Sequence, residues 1–159
     1  MTRIPDAILE AMPKGPLARD AAAMHALFRD PECCALVIVT LPEELPARET
    51  SQLAAAVRAL RIPLGPLVVN ALPPAAAAHP ALLELLARAA PPTGDPALDA
   101  TLAAASLMAV RRSDAEEVLT TLRRDPGLPL LELPRLPTTD LGPTELDELV
   151  DVICKAFVP

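Results

Sequence analysis

The sequence predicts an α/β fold, a small parallel sheet of about three strands flanked by helices and interrupted by a helical insert. Apolar, β-branched runs of strand length occur at 34–41 (CALVIVTL), 66–70 (PLVVN) and 128–134 (LPLLELP). Their lack of polar alternation is the pattern of strands covered on both faces. Segments of helical period separate these runs, and strands joined through helices are most simply parallel. The 20 prolines and 5 glycines fall mostly at the boundaries between segments, where a missing N–H does least harm.

Taken in order, LARDAAAMHALFRD follows Pro16 with Leu17, Ala21, Met24 and Phe28 at helical spacing and stops before Pro31. The first strand run comes next. PARETSQLAAAVRAL then places Pro46 in a first helical turn and Leu53, Val57 and Leu60 on one stripe. The second strand run ends at Asn70. Residues 71–127 read as a helical insert, with PALLELLARAA followed by a long Ala/Leu-rich stretch that begins at the capping pair Asp95–Pro96. Ser113 and Glu116 match a capping-box spacing, so the long stretch is two helices or one kinked helix. After the third strand run, PTELDELVDVICKAF carries Leu146, Leu149, Val150, Ile153 and Phe157 as the apolar residues of a last helix.

At 159 residues the chain fits one domain, 1–159, and a domain of that size buries roughly 70% of the surface its unfolded chain exposes. With 52% hydrophobic residues but only Phe28 and Phe157 as aromatic rings, the core is built from Leu, Val, Ile and Ala. The net charge of −7 and scattered basic residues argue against nucleic acid or an anionic membrane as partner. The missing aromatics also remove base-stacking platforms. No apolar run approaches the roughly 20 residues of a bilayer span, and the first residues lack a signal peptide's apolar centre, so a cytoplasmic location is expected.

Cys33, Cys34 and Cys154 make a poor disulfide framework, because an odd count leaves one unpaired and sequence neighbours rarely bridge. On a strand, Cys33 and Cys34 would face opposite sides, one in the core and the other beneath a helix. Nothing with metal-ligand spacing accompanies them. His25 and His79 are far apart and read as packing residues. No GxxxxGK[ST], GxGxxG or GxSxG is present, so nothing cradles a triphosphate and no nucleophile elbow exists.

Ligands of open parallel sheets bind outside the carboxyl ends of the strands, which singles out the loops 40–46, 70–74 and 134–142. In the first, Glu43 and Glu44 project near the site edge, with Arg48 and Glu49 on the following helical turn. Carboxylates there also suit the helix macrodipole without any ligand. Asn70 can make a bidentate contact with adenine N6 and N7; an asparagine in that place also forms turns. A three-stranded parallel sheet leaves long edges that proteins usually cover or pair, which suggests part of a larger assembly.

Together the segments ALVIVTLPEELPARET, IPLGPLVVNALPP and LPLLELPRLPTTDLGPTELDEL resemble the carboxyl-terminal portion of the ArsA-like ATPases. This P-loop family includes arsenite-pump ATPases and tail-anchored-protein-targeting ATPases. GPLARDAAAMHALFRDPECC is similar to the family's segment after its second switch, so the resemblance runs from about residue 13 to 157. It implies a partial P-loop-NTPase fold taken from homodimeric, Mg-dependent ATPases whose helical insert carries client or interface surfaces. By the resemblance, Asn70 is the adenine-reading asparagine, and Pro134, Arg135 and Leu136 form the turn that packs on the base. Glu43, Glu44, Arg48 and Glu49 lie near nucleotide and subunit interface. The family's P-loop, switches and magnesium-binding acids precede the region covered, and its arsenite-binding cysteine arrangement is not evident.

Two functions follow. In one, the chain is the carboxyl-terminal half of an ArsA-like ATPase, an adenine-side and interface subunit for a separate P-loop-containing chain. ATP or ADP then binds only with that partner, with no Mg²⁺ site and no hydrolysis from this chain alone. In the other, the half-fold is a non-catalytic dimerisation or regulatory module, forming a homo-oligomer or binding an ATPase without completing its site.

Overall fold

A computed structural model describes residues 10–11, 14–89, 91–136, 138 and 140–157. Pro137, Thr139, the amino-terminal residues 1–9 and the side chain of Phe157 lie outside the described residues. The order is α1 (Pro16–Arg29), β1 (Leu36–Thr40), α2 (Glu44–Ala59), β2 (Leu64–Leu72), a 3₁₀ turn (Ala75–Ala78), α3 (Pro80–Arg88), α4 (Pro96–Arg124), β3 (Leu130–Pro134) and α5 (Pro143–Phe157). Proline opens α1, α3 and α4, where its fixed φ suits the helix and its absent N–H costs nothing. The Asp95 carboxylate caps α4, accepting from the amides of Ala97 at 2.9 Å and Leu98 at 3.4 Å.

The chain is α/β, and its three strands form one parallel sheet in the order β1-β2-β3 with helices packed on it. Ile38, Leu67 and Val69 from the strands share a buried cluster with Ala47 and Ala54 of α2 and Leu119 and Leu122 of α4. Both crossover helices therefore cover the same sheet face, as same-handed connections between neighbouring strands require. On the opposite face Val68 and Leu131, paired across β2 and β3, are also buried, and α5 packs against β3.

The strands are not covered alike. β1 was expected to be enclosed on both faces, yet Val37, Val39 and Leu41 stand exposed while only Ile38 and Thr40 are buried. Two crossover helices can sheath one face completely, but the two terminal helices leave the other side of β1 bare. α2 begins at Glu44, two residues before Pro46, and buries Ala47, Thr50, Ala54 and Val57 rather than a stripe through Leu53, which is exposed. Small residues every third or fourth position let its backbone lie close to the sheet.

α4 is a single helix of 29 residues, so Ser113 and Glu116 do not start a new one. No glycine or proline interrupts residues 97–124, and Glu116 pairs back with Arg112 one turn earlier instead of capping. Cys33 and Cys34 precede the strand: Cys33 is exposed in a turn closed by its amide on Asp30 O at 3.2 Å, and Cys34 is half-buried. The prolyl and acidic residues at 30–32 stop the extended run from starting as early as its apolar character suggests. His79 caps α3 through its Nδ1, which accepts from the Ala81 amide at 3.3 Å, and His25 Nδ1 lies 2.7 Å from Arg29 Nη1.

Candidate functional site

The carboxyl ends of the strands open into a cleft of about 840 Å³. Pro42, Glu43 and Glu44 form one wall from the loop after β1, Ala71 and Pro73 come from the end of β2, and Arg135 follows β3. The remaining wall is the middle of α4, where Arg111, Asp114, Val118 and Thr121 recur at helical spacing. The adjacent stripe of that segment carries Ala115, Leu119 and Leu122 into the core, so the helix presents its neighbouring polar stripe to the cleft because its apolar stripe is pinned to the sheet. Carboxylates from Glu43, Glu44, Asp114 and Glu117 thus share the cleft with the guanidinium groups of Arg111 and Arg135.

Two backbone features shape this end of the sheet. The register between β2 and β3 slips between Val69 and Leu72, a bulge in which Ala71 adopts φ 58°, a left-handed conformation uncommon for a residue with a Cβ. Beyond the bulge, the Arg135 amide donates to Leu72 O at 2.8 Å, which fixes the Pro134–Arg135 turn against β2. Arg112 then ties α4 to the exit of β2: its Nη1 donates to Pro73 O at 2.7 Å and its Nη2 pairs with Glu116.

The residues singled out from sequence divide between two places. Glu43, Glu44 and Arg135 meet in the large cleft. Asn70 does not close its strand, because β2 runs on to Leu72. It lies exposed in the bulge and lines a separate depression of about 330 Å³ together with Glu49, Leu53, Val39 and Leu41. Leu41 borders both spaces. Arg48 is committed to an exposed ion pair with Glu44 at 3.0 Å. Pro134 ends β3 exposed and Leu136 is half-buried beside it; neither lines the cleft or the depression.

Asn70 and Arg135, which the resemblance would set around one base, therefore line different spaces. No glycine is among the described residues that line the cleft. Gly65 is held at the other end of β2, where an added Cβ would stand 3.2 Å from Val37 Cγ2. Among the described residues no group of three or more His, Cys, Asp or Glu side chains is placed to hold a metal ion, and no helix is long and apolar enough to cross a membrane.

Arg111, Asp114, Glu117 and Thr121 were missed by a reading confined to strand-end loops. The signal lay in RRSDAEEVLTTL itself, where Arg111, Asp114, Glu117 and Thr121 recur on a helical stripe beside that of Ala115, Leu119 and Leu122.

The fold and site define a three-stranded parallel α/β unit with a mixed-charge cleft at its strand ends. Comparison with protein-family models gives no match for the chain, and comparison with curated proteins gives none either. The resemblance to ArsA-like ATPases stands on the segments quoted above.

Proposed function

We propose that the chain is the carboxyl-terminal half of an ArsA-like ATPase fold, acting as the interface and adenine-side subunit of a separate P-loop-containing chain. The observation that carries this reading is the uncovered β1, an apolar strand at the sheet edge with Val39 63% exposed, beside a strand-end cleft that has side chains for a ligand's rim but no glycine-rich loop for phosphates. Supplied with neighbouring strands, β1 becomes interior, and the two spaces bordered by Leu41 become walls of a joint site.

The placement of Asn70 and Arg135 in different depressions favours a second reading, a non-catalytic interaction module that binds or dimerises without contributing to a nucleotide site. Native mass spectrometry of the chain captured from its own cells, with ATP and Mg²⁺ present, separates the two. A second polypeptide bearing a P-loop, with nucleotide mass on the complex, supports the split ATPase. A partner complex without nucleotide, or a bare homo-oligomer, supports the module.

A further inference from the structure

The two edges of the sheet are protected differently. β3 carries Glu132, paired with Arg123 at 2.7 Å, ends in Pro134 and has α5 packed on it. Charge, proline and a covering helix are the devices that keep a strand edge from recruiting another chain. β1 has α2 on one face only and lacks the other two devices. Its residues LVIVT carry neither charge nor proline, and Val37, Val39 and Leu41 line a bare face beside the unpaired edge. Because the Leu36 amide donates across the ladder to Pro63 O at 2.8 Å, the alternation of the strand directs the Val37 and Val39 amides to the free side. The depression lined by Leu53, Glu49 and Asn70 opens next to that edge and offers an apolar floor with a polar rim.

Charge decides which occupant fits. Exposed Asp30 and Glu32 precede β1, and exposed Glu43, Glu44 and Glu49 follow it. Of the nearby cations, Arg48 is paired with Glu44 and Arg29 is bonded to Leu60 O at 3.2 Å and to His25, while Arg111 and Arg135 line the cleft with Glu43 and Glu44, on the far side of that loop from Glu49. A second copy laid along this edge sets acid against acid in either direction. Parallel pairing brings like ends together, and antiparallel pairing brings Glu43 and Glu44 to Asp30 and Glu32. The whole-chain charge of −7 adds to that repulsion.

We propose that the free edge of β1 accepts an extended segment of a partner polypeptide, apolar at alternate positions and flanked at both ends by lysine or arginine, which adds a fourth strand to the sheet. Main-chain hydrogen bonds supply affinity, and the pocket and acidic ends supply selectivity, as in other strand additions. Five residues of β1 offer about 17 Å of edge. The inference rests on the split-ATPase reading only for the existence of a partner; nucleotide plays no part in it.

The test uses the full chain without nucleotide and two fluorescein-labelled peptides. Both have a Val-Thr-Val-Thr-Val centre; one is flanked by lysine pairs and the other by glutamate pairs. Anisotropy should show the lysine-flanked peptide binding about ten-fold more tightly or better, with slowed amide exchange at Val37 and Val39. V39K, at an exposed side chain, should keep the melting curve and weaken binding about ten-fold, and E43K/E44K should narrow the preference between peptides. Equal binding of the two peptides, no binding, unaltered binding by V39K, or protection at β3 instead of β1 would overturn the proposal. So would sedimentation of a dimer that V39K abolishes, which would assign the edge to a second copy. If peptides bind but captured complexes carry no nucleotide or P-loop chain, the ATPase reading fails alone; if peptides do not bind while such a complex is recovered, the edge contact fails alone.

Discussion

Replacing Arg112 separates the polar from the apolar contribution of the link between α4 and the cleft. The side chain is 11% exposed, bonded through Nη1 to Pro73 O at 2.7 Å and through Nη2 to Glu116, and its buried Nε has no hydrogen-bond partner among the described residues. A hydrogen bond from a charged donor contributes about 1.5–3 kcal/mol. The ion pair to a half-exposed Glu116 adds about 0–1 kcal/mol, and the three methylenes of the stem about 2 kcal/mol. Against these stands the orphaned Nε, whose removal returns about 1–3 kcal/mol. Arg112→Ala loses stem and bonds and should destabilise by about 2–3 kcal/mol, a fall in Tm of roughly 4–12 °C for a chain of this size. Arg112→Met keeps an apolar stem, loses the bonds and sheds the unsatisfied nitrogen, so it should cost about 0.5 kcal/mol. Because the chain has no Trp or Tyr, urea unfolding is followed by far-UV circular dichroism, with equal slopes required before midpoints are compared. If Met destabilises as much as Ala, or Ala stays within about 0.5 kcal/mol of the wild type, the assignment of a clamped, apolar-stemmed arginine is refuted.

Other expected outcomes concern the core, the cap and the candidate ligand residue. Leu119→Ala, at a side chain with no exposed surface in the main cluster, should cost about 3–4 kcal/mol, whereas Leu107→Ala on the exposed half of the same helix should stay within about 0.5 kcal/mol; equal effects in urea melts would contradict the placement of α4. Asp95→Ala, which removes the acceptor for two amides, should lower stability by about 1 kcal/mol while Asp95→Asn keeps most of it, measurable by the same unfolding curves. Asn70→Ala, at an exposed position, should leave stability within about 0.5 kcal/mol. In a captured complex it should weaken nucleotide binding about five- to ten-fold, by the loss of one bidentate contact; an unchanged affinity in calorimetry would favour the interaction module.

The order of elements, the parallel α/β class and the prolines that open helices were legible in the residues, because backbone propensity and hydrophobic period are local properties. The Asp95 cap was legible for the same reason. The edge and the site were only half so. CALVIVTL reads as a strand enclosed on both faces, but enclosure depends on which helices return to which face, and here the crossover helices α2 and α4 share one face while β1 remains bare on the other. Glu43, Glu44 and Arg135 could be placed at the strand ends, where they line the cleft, because strand-end loops are predictable from strand position. The end of the second strand was set two residues early, at Asn70, because a bulge of one residue, with Ala71 left-handed, carries β2 on to Leu72, and nothing in VVNAL announces that slip.

What the sequence determined by itself is therefore the set of elements and their chemistry: three apolar strands, acidic ends around the first of them, and glycines too scattered for a glycine-rich phosphate motif. The tertiary structure alone decided which of those strands lies bare at an edge and which polar residues of α4 join the cleft. It also decided that Asn70 and Arg135 line different spaces, both bordered by Leu41. Burial and register are properties of pairs of elements, set when helices choose a sheet face and strands choose a partner, and no single segment carries that information.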